Sequence, residues 1–199
     1  MSRNPVDNFL RLLKKSPSGA VFNPWWEVDE QDDAGRNASA IRRHQLRAYL
    51  QKRIGKANVV VIGEAVGYRG GHFSGIPMTS ERILLGRSNT VRMKSDELFS
   101  AVKPRRTSRP SKCPHGFSEL TATIVWLALL RLGLKPDQFV LWNAFPWHSF
   151  DSHRGMLSNR MPHKSEQAAG LPVLKAFLEL FPCEQSSRWE KSLPLSSND

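Results

Sequence analysis

The 199 residues carry 29 lysines and arginines against 18 acids, a formal charge of +11, with 40% hydrophobic residues. That length supports one domain with a sizeable core, and the charge favours a polyanionic partner, nucleic acid first. Two cysteines, Cys113 and Cys183, exclude a four-thiolate zinc or iron–sulfur site. No apolar run reaches the roughly 18 residues that a membrane span needs.

The expectation is a cytoplasmic monomer with reduced thiols. The N-terminus has no hydrophobic core of a signal peptide. Phe9, Leu10, Leu12 and Leu13, followed by Lys14 and Lys15, predict a short amphipathic helix that packs on the domain or lies on a membrane surface. Residues 16–36 read as loop, with Trp25–Trp26 tucked against the core and a run of acids after them. A helix is predicted from Asn37, capped by Asn37 or Ser39 and stopped at Gly55. Its Arg42, Arg43, Arg47, Lys52 and Arg53 are assigned to a solvated face.

Val59–Ile62 is a β-branched run suited to a strand buried on both faces of a parallel sheet. Glycines then take over at 63, 67, 70, 71 and 75, enclosing Glu64, Tyr68, Arg69 and Phe73. A short helix is expected over Ser80–Leu85. The segment 86–117 is polar and irregular, and its KPRRTSRPSK (Lys103–Lys112) reads as an exposed loop, either phosphate-contacting or a solvated tether. Ser118 is expected to cap ELTATIVWLALLRLGL, apolar nearly all round and so expected to be a buried helix that stops at Gly133. FVLW (Phe139–Trp142) is the second buried strand, ending at Asn143. A loop with His148 and His153 follows, then a helix through SEQAAGLPVLKAFLELFP, capped at Ser165 and started or kinked at Pro172. Residues 183–199 show neither strand nor helical pattern and are expected to be poorly ordered.

Parallel strands joined by right-handed crossovers end on one edge, where open α/β sheets bind ligands. Glu64 and Asn143 stand at those ends, with Tyr68 and Phe73 on the loop. An aromatic face, a carboxylate and a carboxamide suit a flat heterocycle: the ring stacks, and the carboxamide both donates and accepts. The same residues also read as a turn cap, a core aromatic and a self-bonded asparagine. Ser149 or Ser152 with His148 or His153 is a weaker hydrolase reading, since no nucleophile-elbow motif accompanies them.

GEAVGYRGGHFSGIPMTSE resembles the first motif of a branch of the uracil-DNA glycosylase superfamily, and LWNAFPWH (Leu141–His148) resembles its second block. NPWWEVD, LRAYL, TATIVWLAL and NRMPHKSEQAAGLPVLKAFLELFP fit its connecting segments, so the likeness covers roughly residues 22–182. It implies a three-layer α/β/α sandwich around a parallel sheet and hydrolysis of the N-glycosidic bond of uracil in DNA, without metal or redox cofactor. Gly63, Glu64, Ala65 and Gly67 would form the loop under base and water. Glu64 would hold the water, Phe73 would stack on the flipped base, and Asn143 would read O4 and N3–H. Discrimination against cytosine requires Asn143 to be held in one orientation. Tyr68 and His148 are further base-pocket candidates. Arg69, Ser74, Thr79 and Ser80 would grip phosphates, with Lys103, Arg105 and Arg106 as the basic loop's contacts.

Three departures accompany the likeness. Val66 replaces the usual proline, and Ala65 stands where other members place an aspartate base. No histidine-proline-small motif follows the last helix, so the family's C-terminal strands are expected to be missing. The expected organisation is an N-terminal extension (1–20), an incomplete glycosylase-like domain (21–182) and a tail (183–199). The alternative reading is a non-catalytic nucleic-acid-binding remnant of the same fold.

Overall fold

The computed structural model describes residues 4–182, so the tail expectation lies outside the described residues. In chain order the elements are α1 (Pro5–Leu12), β1 (Val21–Phe22), α2 (Ala38–Arg53), β2 (Val59–Ala65), α3 (Gly71–Ser74), α4 (Glu81–Leu84), α5 (Ser95–Leu98), α6 (Leu120–Arg131), β3 (Phe139–Phe145), β4 (His148–Ser149) and α7 (Lys164–Leu180). The fold is α/β. β2 and β3 pair in parallel, with Val59 opposite Phe139 and Gly63 opposite Asn143. Inside the expected 16–36 loop, β1 pairs antiparallel with β4.

Side chains alternate between the two faces of a strand, and β3 uses both. On one face Trp142 packs edge-on to Phe9 of α1, 5.1 Å between centroids, and stacks on Phe177 of α7 at 4.8 Å. On the other, Phe139 meets Trp126 of α6 at 4.9 Å. Helices therefore cover both faces, and β3 is buried except at Ala144. α1 packs into this core through Val6, Phe9 and Leu10, with Asn4 capping it by accepting from the Val6 N–H.

The edge of β3 away from β2 is closed by side chains of α2. Leu141 N–H donates to Tyr49 Oη at 2.8 Å, and Arg53 Nε donates to Phe139 O at 3.0 Å. This corrects the solvated-face expectation for two of the five basic residues. Arg53 is fully buried because it satisfies strand and loop carbonyls. Arg42 is fully buried because Asp33 accepts from both its terminal nitrogens, at 2.6 and 3.0 Å. Glycine is needed at Gly75, where φ is +73° and a Cβ would stand 2.8 Å from the Arg42 backbone.

Two burial expectations change. β2 is half-exposed, with Ile62 40% accessible, because among the described residues it has a strand on one edge alone. α6 buries only the stripe of Ala122, Trp126 and Leu129, leaving Leu120 and Ile124 exposed. A two-stranded sheet is too narrow to cover more than one stripe of a helix. Caps differ as well: α6 is preceded by Glu119, and α7 by His163, whose N–H donates to Glu166 in a capping box.

The basic loop is anchored rather than free along its length. Glu81 accepts from the N–H groups of Thr107 and Ser108 at 2.9 and 3.0 Å, and Thr107 Oγ1 donates to Phe73 O at 2.6 Å. Among the described residues no helix is long and apolar enough to cross a membrane.

Candidate functional site

A cleft of about 480 Å³ opens beyond the carboxyl ends of β2 and β3, lined by Gly63, Glu64, Ala65, Val66, Gly67, Met78, Glu119, Thr121, Asn143, Asn159, Arg160 and Met161. A larger cleft, about 710 Å³, lies between Pro17–Ala20 and Phe150–Ser152. Its charged wall is already committed, since Arg160 and Glu166 pair at 2.7 Å. The first cleft holds unpartnered polar atoms, and chemistry is assigned there.

The parallel register sets Asn143 opposite Gly63. Asn143 is 1% exposed, and its Nδ2 donates to Ala65 O at 3.1 Å. The amide atom facing a carbonyl oxygen must be the nitrogen, so the carboxamide is fixed and Oδ1 is left buried without a protein partner. Asn143 is one of the residues that line the cleft. Gly63 leaves room for the amide nitrogen: a Cβ there would stand 2.7 Å from Asn143 Nδ2 and 2.9 Å from Met78 Sδ. Met78 itself has φ +46°, a conformation non-glycine residues hold at a cost on the order of 1 kcal/mol.

Glu119 forms the opposite wall. Its Oε2 is buried without a partner, and burial pushes its carboxyl up to about 7. The start of α6 favours the anion by about 0.3–1 kcal/mol, less than one pH unit is worth. The glycine loop wraps this carboxylate. A Cβ on Gly67 would stand 2.5 Å from Oε1, and one on Gly70 would run into Oε2. Asn159 buttresses the same loop by accepting from Tyr68 N–H at 3.0 Å. Glu64 is exposed at the mouth.

The structure brings Gly63, Glu64, Ala65, Gly67 and Asn143 together, and several other expected residues lie elsewhere. Phe73 is fully buried, and Phe117 covers its ring at 4.5 Å and 6°. Tyr68 lies outside the cleft lining, with the Arg69 guanidinium 5.3 Å from its ring centroid. Ser74, Thr79 and Ser80 are fully buried and cannot reach phosphate. Ser74 Oγ donates to Ile76 O, and Thr79 Oγ1 accepts from Trp126 Nε1. Arg106 is spent inside its own loop, on Ser108 and on the carbonyls of Arg109, Cys113 and Pro114. Lys103, Arg105 and Arg69 are exposed.

His148 also leaves the base-pocket set. It is fully buried, shares a 3.0 Å contact with His72 Nδ1 and directs Nε2 to Ser158 O at 2.7 Å. A ring nitrogen facing a carbonyl carries the proton, so His148 Nδ1 accepts and His72 Nδ1 donates. Burial pushes His148 down to about 3 and holds His72 below its ordinary value as well. His72 lies 3.3 Å from Asp29. Burial works to raise the Asp29 carboxyl, but its contact with His72 and the N–H groups of Gln31 and Asp32, which donate to it at 3.1 and 3.2 Å, hold it low. Glu119, Met78 and Asn159 were not singled out from sequence. The glycines at 67 and 70 were the available signal, but they do not name the side chain that needs their space.

Fold and cleft together define an α/β protein with a polar site beyond the carboxyl ends of two parallel strands. No protein-family model matches the chain, and no curated protein does. Among solved structures, wild-type SMUG2 from Pedobacter heparinus is similar in fold, with a TM-score of 0.50 and 15% identity over 90% of this chain and 72% of that one. At that identity the likeness speaks for the fold alone.

Proposed function

We propose that the cleft receives uracil extruded from DNA and that the protein hydrolyses its N-glycosidic bond. The observation that carries this reading is Asn143, whose Nδ2 is anchored on Ala65 O while Oδ1 stands buried and free. A fixed acceptor matches N3–H of uracil, and the second Nδ2 hydrogen suits O4. Cytosine presents a lone pair at N3, which that acceptor repels. The resemblance of GEAVGYRGGHFSGIPMTSE and LWNAFPWH to uracil-DNA glycosylase motifs supports the reaction class, and the net charge of +11 suits a DNA backbone.

In the reaction the C1′–N1 bond breaks, its electron pair leaves on the base, and a water oxygen bonds to C1′. Glu64, open to solvent at the mouth, orients that water and passes its proton outward. Electrostatic preorganisation around the departing anion is the largest contribution expected in such a step.

The test is incubation with a uracil-containing oligonucleotide followed by alkaline cleavage of abasic sites. Cleavage that disappears in Asn143→Ala and Glu64→Ala supports excision. One observation favours a second reading, nucleic-acid binding without excision: Phe117 already occupies the face of Phe73. DNA binding with no abasic product would establish that reading instead.

A further inference from the structure

Two residues that line the cleft each hold a buried polar atom without a protein partner, Asn143 Oδ1 and Glu119 Oε2. The first is an acceptor in a fixed orientation. The second sits in a niche that Gly67 and Gly70 leave open for it, since a side chain at either position would displace the carboxyl. A buried carboxylate without hydrogen bonds is costly, whereas a buried neutral carboxyl offers one O–H to a ligand.

We propose that Glu119 is a base-binding group that, in its neutral form, donates a hydrogen bond to a carbonyl oxygen of the extruded pyrimidine. This rests on the reading of the cleft as a uracil site and adds a donor to it. Asn143 engages the N3–H side of the ring, and Glu119 supplies the proton to an oxygen that becomes negative as the glycosidic electron pair enters the base. A carboxyl kept neutral in an apolar setting so that it can donate to a growing oxyanion is a known catalytic pattern. Ionised Glu119 would instead repel the departing anion.

The other charged groups facing the cleft are Glu64 and Arg160. Glu64 is exposed at the mouth, and Arg160 is committed to Glu166 at 2.7 Å. Neither supplies a buried donor. Burial holds the Glu119 carboxyl at about 7, so its neutral form is available at physiological pH.

The experiment is calorimetric titration of the full-length protein with free uracil, from about pH 6 to about pH 8.5 and in two buffers of different ionisation enthalpy. Wild-type affinity should fall about tenfold per pH unit above neutrality, and binding near pH 7.5 should take up protons from the buffer. Glu119→Gln keeps a donor at every pH and should abolish both the fall and the uptake. Proton uptake is measured on the wild type alone, so it decides the matter even where the variant does not fold. Uracil binding without uptake, or an unchanged pH dependence in Glu119→Gln, overturns the role of Glu119 and leaves the uracil site standing. A wild type that neither binds uracil nor produces abasic sites overturns the underlying reading, and the proposal with it.

Discussion

Gly63 and Asn143 face each other across the β2–β3 pair so closely that a Cβ on residue 63 would stand 2.7 Å from Asn143 Nδ2. Met78 can swing its flexible end away, but Asn143 rides on a buried strand and is tied to Ala65 O. Gly63→Ala is therefore expected to turn the carboxamide out of register rather than to unfold the protein. A misplacement of about 1 Å costs about 100-fold in a positioned reaction. Excision kinetics together with a thermal melt would check this, and an alanine variant of full activity would show that the carboxamide orientation is unimportant.

Phe117 stacks on Phe73, the ring that the sequence likeness assigns to the extruded base. Phe117→Ala should uncover that ring and tighten uracil binding, with base–aromatic stacking on the order of 1–3 kcal/mol available. Titration with free uracil reads the change. Weaker binding in this variant would mean that Phe73 is a core residue and nothing more.

Glu119 and His148 tilt stability in opposite directions. His148 is held down to about 3 against an ordinary value near 6.5. Between those values the unfolded chain binds a proton that the native one does not, so stability is lost as pH falls through the window. Glu119 is raised from 4.5 to about 7. Its native form binds the extra proton there, so stability is lost as pH rises through that range. Each slope is about 1.4 kcal/mol per pH unit, so in the overlap between 4.5 and about 6.5 Glu119 offsets His148, while His72, also lowered by burial, adds to the His148 side. Urea midpoints of the wild type should thus be flatter with pH in the overlap than below it. In Glu119→Gln the His148 slope should emerge uncancelled, with stability rising toward neutrality.

Among the basic residues, location separates DNA contact from loop architecture. Lys103 and Arg105 are exposed, whereas Arg106 is tied to carbonyls of its own loop. Lys103→Ala and Arg105→Ala should each lower the slope of log affinity against log salt by about 1. Arg106→Ala should lower the melting temperature instead. Binding to a short duplex across a salt series, with melts in parallel, distinguishes the two outcomes.

Local pattern carries the strands and the asparagine well. β-branched and aromatic runs mark Val59–Ile62 and Phe139–Trp142, and strand-end logic places Glu64 and Asn143 on one edge. What pattern cannot reach is partnership over long sequence distance. Phe73 in a glycine loop reads equally as platform or core until Phe117 is seen lying on it. Arg42 and Arg53 look solvated until Asp33 and the edge of β3 are brought to them. The two serines and the threonine of SGIPMTSE look like phosphate ligands until the turn folds inward and buries all three, Ser74 and Thr79 with internal partners. Glu119 carries no local signature, since its significance lies in two glycines some fifty residues earlier in the chain.

β2 offers the open side of its ladder to whatever strand arrives. Tyr49 and Arg53 seal the outer edge of β3, but among the described residues the backbone groups of Val60, Ile62 and Glu64 that point away from β3 meet no strand. A β-branched, weakly charged edge of this kind templates pairing between molecules. At high concentration, or while many copies fold side by side, the same strand that shapes the cleft becomes the seed on which chains join, and yield of folded protein becomes a question of crowding at that edge.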